Sequence, residues 1–200
     1  PGTLNKEKLE FMKSLGINRL SIGLQAVQED LLGYIGRIHN YEQFEKNYLE
    51  ARKVGFKNRN IDLMYNLPHQ TFEDWKETLH KIVSLNPEHI SAYSLILEEG
   101  TKLYDMYMKK EFDLGDEDED IKMYEYAINY LKENGYNQYE ISNYAKVGYE
   151  CKHNILYWKC KNYIGLGPGA SGYINNVRYN NVQSLDDYHE KLLQNQKPID

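Results

Sequence analysis

Two hundred residues with 41% hydrophobic content can bury a substantial core, and a net charge of −6, with no run of more than two consecutive Lys or Arg, leaves no footprint for nucleic acid. No apolar stretch approaches the roughly 18 residues of a membrane span, and no signal peptide opens the chain. The two cysteines, Cys151 and Cys160, make no disulfide scaffold, which fits a reducing cytoplasm.

Elements alternate along the chain. Pro1-Gly2-Thr3 runs into a helical pattern (Leu9, Met12, Leu15) with no methionine and no preceding strand, so the chain is expected to be a piece of something longer. That pattern ends at Gly16, and Arg19–Gln25 follows as a strand. A second helix carries Phe44, Tyr48 and Ala51 and stops at Gly55, before a strand from Asn60 to Tyr65. Asn40…Gln43 and Thr71…Asp74 read as helix starts of the capping-box kind. His89–Leu95 is the third strand, a helix bearing Ile121, Tyr124, Ala127, Ile128 and Leu131 stops at Gly135, and Gln138–Ser142 is a weaker fourth strand. Each glycine follows a helical pattern and precedes an apolar residue, the signature of a left-handed cap with a strand behind it. Helix then strand, repeated, implies parallel strands with crossover helices, and hence an α/β layer or barrel. The acidic run Asp116–Asp120 suits the positive end of the helix it precedes. From about residue 146 the pattern changes: a mixed polar and aromatic stretch, a glycine-rich loop from Gly165 to Gly172 without the lysine of a P-loop, and a helix from Ser184 to about Gln194.

Chemistry is sought at the carboxyl ends of the strands, where parallel α/β architectures collect ligands. Gln25 ends the first strand. Asp62 interrupts the second among Ile61, Leu63 and Met64, where an ionised carboxylate without a partner is costly. Arg37 lies between them in Gly36-Arg37-Ile38-His39. An acid, an amide and a guanidinium together suit a ligand with hydroxyls and a carboxylate. The residues alone leave a second reading open, in which Arg37 and Asp62 simply neutralise each other. A cluster-free barrel enzyme using Asp62 and His39 in acid–base work is a further reading.

Several segments, in order and spacing, resemble a known family: Pro1-Gly2-Thr3, Asn18–Gln25, Gly36–His39, Asn60–Pro68, His89–Leu95 and His153-Asn154-Ile155-Leu156-Tyr157-Trp158. They are similar to the radical S-adenosylmethionine (SAM) proteins related to oxygen-independent coproporphyrinogen III oxidase, and most of all to their heme-chaperone branch. The resemblance implies the latter part of a partial TIM-type (β/α) barrel over residues 1–145, followed over 146–200 by the start of a smaller carboxy-terminal region. It implies that Gln25, Arg37 and Asp62 bind SAM, with Arg37 on the methionine carboxylate and the other two near the ribose. His153, in the HNxxYW pattern, is implied as a heme ligand, imidazole being a common axial ligand of heme iron. The family's CxxxCxxC motif for a 4Fe-4S cluster is expected upstream of Pro1, so no cluster ligand falls within this chain, which alone is expected to be inactive.

The implied activity is cytoplasmic heme binding and delivery to apo-proteins by a protein that also holds SAM and the cluster. The alternative is oxidative decarboxylation of coproporphyrinogen III propionates. Half a barrel also leaves a sheet edge unpaired, so self-association through that edge is expected. With the cluster absent, Asp62 is expected to face solvent or Arg37.

Overall fold

The computed structural model describes residues 2–200; Pro1, the first residue of the family-like opening segment, lies outside them. The chain divides into two compact units, one ending at Glu150 and one spanning Cys151–Asp200. In the first, the elements are α1 (Lys6–Ser14), β1 (Arg19–Gln25), α2 (Glu29–Tyr34), α3 (Tyr41–Val54), β2 (Asn58–Tyr65), α4 (Phe72–Ser84), β3 (His89–Ser94), α5 (Lys102–Met108), α6 (Glu117–Glu133), β4 (Asn137–Gln138) and β5 (Asn143–Ala145). The second unit holds α7 (Lys152–Trp158), a hairpin of β6 (Ser171–Ile174) and β7 (Val177–Asn180), and α8 (Leu185–Leu193). No helix of the described residues is long and apolar enough to cross a membrane.

The five-stranded sheet has the order β1-β2-β3-β5-β4. The first three strands are parallel, with Ser21 opposite Asn60 and Asn60 opposite His89. The expected fourth strand is corrected. Only Gln138 of Gln138–Ser142 lies in a strand, and β4 and β5 form a short antiparallel pair around the bend. The bend is fixed by its own hydrogen bonds: Tyr139 N donates to Asn143 O at 3.1 Å and Ala92 N to Ser142 O at 2.8 Å.

Helix ends follow local chemistry. Thr71 and Asp74 cap α4 reciprocally, and Asn40 and Ser184 accept from Gln43 N and Asp187 N. At Gly16, Gly55 and Gly135 the chain enters the left-handed region, with φ of 83°, 100° and 85°. Each time the next residue's N–H reaches back into the last helical turn, as in Phe56 N to Ala51 O at 3.1 Å.

Period-two alternation sorts the strands onto two faces. Ile22, Leu24, Ile61, Leu63, Tyr65, Ile90, Ala92 and Tyr144 point to one face and form the core with Phe44 and Tyr48 of α3, Trp75 and Leu79 of α4, and Met123, Ala127 and Leu131 of α6. The Trp75 indole donates to Met123 O at 2.9 Å, tying α4 to α6. The other face carries Ser21, Gly23, Asn60, Asp62, His89, Ser91 and Asn143. A smaller cluster of Ala26, Leu31, Leu32, Leu67 and Leu95 packs α2 against the segments that follow β1, β2 and β3, stiffening the carboxyl edge of the sheet.

Candidate functional site at the carboxyl edge of the sheet

Three devices shape this edge. The register between β1 and β2 slips between Gly23 and Gln25, a bulge that re-aims the strand's last side chain. Gln25 adopts φ 79°, a left-handed conformation rare for a side chain of its size. Its amide folds back over Gly23, where an added Cβ would sit 2.8 Å from Gln25 Nε2. Gln25 is 7% exposed, and no hydrogen bond engages its amide among the described residues. Arg37 is placed by a turn of the same kind as the helix caps: Gly36 at φ 75° follows α2, and Arg37 N donates to Leu32 O at 2.8 Å. Its side chain is exposed.

Asp62 is half-buried. It accepts from Ser21 Oγ at 3.1 and 3.0 Å and from Asn60 Nδ2 at 2.6 Å. The awkward carboxylate of the sequence is therefore satisfied by neutral donors on its own sheet face. No ion pair joins it to Arg37 among the described residues, so the two do not neutralise each other; the carboxylate's accessible side faces an open groove that Arg37 also lines.

Gln25, Arg37 and Asp62 nevertheless line one open groove of about 470 Å³ with Met64, Tyr93, Ser94 and Ile96. A carboxylate, an amide and a guanidinium thus share one cleft with a thioether and apolar surface. His39 does not line it. That ring is buried, with Nε2 3.3 Å from Leu24 O, and burial, aided by the charge of Arg37, lowers its pKa. An acid–base pair of Asp62 and His39 is not assembled.

Chain matches appear at two levels. Residues 1–82 fit the model of the Radical SAM superfamily. The heme chaperone HemW of Bacillus subtilis is 41% identical over 188 residues, which cover 94% of this chain and 50% of that protein. The chain is a radical SAM homologue of HemW. HemW of Escherichia coli is 37% identical over 174 residues, covering 87% of this chain and 45% of that one. The mouse mitochondrial radical S-adenosyl methionine domain-containing protein 1 is 37% identical over 165 residues, 82% of this chain and 37% of that one. This HemW homologue spans about half the length of the curated relatives it matches. Among solved structures, HemN, the coproporphyrinogen III oxidase of E. coli and a radical SAM enzyme, superposes with a TM-score of 0.80 over 98% of this chain and 48% of its own, at 21% identity. That likeness concerns the fold, and it makes the mixed α/β sheet part of a radical SAM (β/α) barrel.

Among the described residues no three His, Cys, Asp or Glu side chains converge, and the two cysteines of the sequence are Cys151 and Cys160. In the second unit, His153 lies exposed in the first turn of α7. Its Nε2 is 2.9 Å from the Tyr157 hydroxyl, and the two rings stand edge to face at 4.7 Å. Tyr157 continues to Tyr163, and Tyr163 stacks on Tyr173. The glycine-rich loop is a packing device. An added Cβ would meet Ser171 O at 2.4 Å on Gly165 and the Tyr179 ring at 2.1 Å on Gly172, while Asn181 Nδ2 holds the carbonyls of Gly165 and Gly167 at 3.1 and 2.8 Å.

Two features escaped the sequence reading. One is the polar face of Ser21, Asn60, His89, Ser91 and Asn143, whose signal was the alternation Asn58, Asn60, Asp62. The other is an apolar concavity of about 620 Å³ lined by Ile164, Leu166, Val177, Tyr188 and Leu192, to which no local pattern points.

Proposed function

We propose that this chain contributes one wall of a SAM site, and a heme-ligating histidine, to a HemW-like heme chaperone. The observation that carries the reading is the convergence of Gln25, Arg37 and Asp62 on one groove at the carboxyl ends of β1 and β2. The donor set suits the ligand. A guanidinium binds the methionine carboxylate as a fork, the Oδ2 of Asp62, which accepts only from Ser21 Oγ, and the unengaged amide of Gln25 take ribose hydroxyls, and Met64, Tyr93 and Ile96 offer apolar surface to the adenine. When bound, SAM supplies radical chemistry. This chain's own residues bind and orient it, and the 4Fe-4S cluster draws its thiolates from outside these 200 residues.

Heme is the second ligand. His153 offers an imidazole beside an aromatic, solvent-facing helix in which Leu156, Tyr157 and Trp158 are all exposed, and a flat porphyrin takes such surface. The names of the relatives support delivery of heme to apo-proteins as the activity.

The test uses the gene-encoded protein, purified anaerobically with its cluster. Equilibrium binding of SAM is expected to weaken about tenfold or more in Arg37→Ala, because a charge-assisted pair is lost. Heme titrated by absorbance is expected to lose its histidine-ligated spectrum in His153→Ala. Unchanged SAM affinity in Arg37→Ala, or an unchanged heme spectrum in His153→Ala, rejects the corresponding half of the proposal. The 200-residue chain alone, without thiolates to complete the site, is expected to bind SAM only weakly, and micromolar affinity by calorimetry contradicts that.

A further inference from the structure

Four residues form a directed hydrogen-bond relay across the inner sheet face, ending on Asp62. Asn60 Nδ2 donates to Asp62 Oδ1 at 2.6 Å, and also faces Ser21 Oγ at 2.7 Å and Ser91 Oγ at 3.0 Å. With its amide nitrogen committed to Asp62, the Asn60 carbonyl must accept, and His89 Nδ1 lies 2.5 Å from it. His89 Nδ1 therefore carries the proton. Its Nε2 is then a lone pair, and the partner it meets, the Tyr139 hydroxyl at 2.7 Å, donates to it. Every donor points the same way, from Tyr139 through His89 and Asn60 to the carboxylate.

The burial of the relay is unusual for polar groups. His89 is 0% exposed and Asn60 2%. A buried imidazole in contact with polar partners on both nitrogens is held in one tautomer and one orientation. Burial, with Arg19 nearby, keeps His89 uncharged down to a pKa of about 3, so the relay delivers a dipole and not a charge. Ser91 adds a brace. Its hydroxyl donates to Asn143 Oδ1 at 2.5 Å, and Asn143 is hydrogen-bonded in turn to Glu140. Asp62 Oδ1 is thereby committed to Asn60, while Oδ2 accepts from Ser21 Oγ alone, at 3.0 Å, and keeps a lone pair for the groove.

We propose that His89 and Asn60 are positioning residues for the SAM ligand Asp62: the neutral Nδ1–H tautomer of His89 orients Asn60, and Asn60 fixes the Asp62 carboxylate at the angle that receives a ribose hydroxyl. The proposal rests on the assignment of Asp62 to SAM given above. Neither His89 nor Asn60 lines the groove, so both act through Asp62.

Two measurements test it. In the 200-residue chain, long-range proton–nitrogen correlation spectra are expected to report the Nδ1–H tautomer for His89 between pH 6 and 8, and an Nε2–H signature overturns the relay. In the gene-encoded protein with its cluster, SAM affinity is measured for Asp62→Ala, His89→Leu, His89→Asn and Tyr139→Phe. His89→Leu removes the donor and is expected to weaken SAM binding roughly five- to tenfold. His89→Asn keeps an amide N–H near the Nδ1 position and is expected to restore affinity to within about twofold. Tyr139→Phe spares the packing, so it keeps the test open if His89→Leu fails to fold; its expected loss is about two- to fourfold. If Asp62→Ala leaves SAM affinity intact, the SAM reading falls and takes the proposal with it. If Asp62→Ala weakens binding while His89→Leu and Tyr139→Phe do not, the proposal alone is overturned. Equal losses in His89→Leu and His89→Asn assign His89 to packing, and also overturn it.

Discussion

Gly23 and Gln25 show how one small residue makes room for a larger one's job. The strand bulges, Gln25 takes a strained φ of 79°, and its amide occupies the space where the Cβ of any other residue at position 23 would stand. Gly23→Ala is therefore expected to destabilise the protein by about 1–3 kcal/mol, in the range of overpacked sites. Trimming the clashing side chain in Gly23→Ala/Gln25→Ala should recover part of that loss. A double-mutant cycle by urea denaturation checks it, and strict additivity refutes the contact. His89 gives a second prediction at this scale. Its folded pKa of about 3 lies below the ordinary 6.5 because the ring is buried, so below pH 6.5 the unfolded chain takes up a proton that the native ring refuses. Stability is fully present above pH 6.5 and falls towards pH 3 by up to about 1.4 kcal/mol per pH unit from this group. Compared with His89→Asn, which cannot titrate, the wild type should lose stability more steeply between pH 6.5 and 5. Parallel curves reject the assignment.

At the scale of elements, the sequence was most legible where local chemistry decides. Glycine caps, the Thr71–Asp74 box and apolar spacing located α1, α3, α4 and α6 and the three parallel strands, because each signal is written within a few residues. Thr71→Ala is expected to cost about 1 kcal/mol in thermal or chemical denaturation, since it removes the Thr71 Oγ1 that accepts from Asp74 N while the reciprocal bond from Thr71 N to Asp74 stays. Gln138–Ser142 misled because its alternation, taken alone, does not reveal that the partner strand follows within five residues; the antiparallel pairing is a tertiary decision. The candidate site was legible in its residue types and not in its geometry. Asp62 was marked by its neighbours, yet the donors that satisfy it, Ser21 and Asn60, became visible only once β1 and β2 were in register. The apolar company of Asp62 was a projection error: Ile61 and Leu63 belong to the opposite face.

For the whole molecule, the two units differ in how they are built. Every fully buried apolar side chain among the described residues lies before residue 146; within Cys151–Asp200 there is none, and Asn181 and Gly172 are the buried positions. The second unit of this chain is held by hydrogen bonds, aromatic edges and its hairpin. Amide exchange is expected to show low protection over 151–200 and high protection over β1–β3, α4 and α6; uniform protection refutes that division. Strand β1 is the terminal strand of the parallel part of the sheet, and among the described residues no strand pairs with its outer side. We propose that it pairs with a second copy at high concentration, so light scattering should give a mass that rises above 23.6 kDa with concentration, and a constant monomer mass rejects this.

The alternation of β2 has a practical outcome. Folding reads its odd positions and binding its even ones, so the two sets of residues can be varied separately. A library randomised at Asp62 and Met64, with Ile61, Leu63 and Tyr65 held, should be rich in folded proteins with altered ligand preference, and the complementary library should be rich in neither. In such a strand, ligand preference can drift over generations while the scaffold beneath it stays where it is.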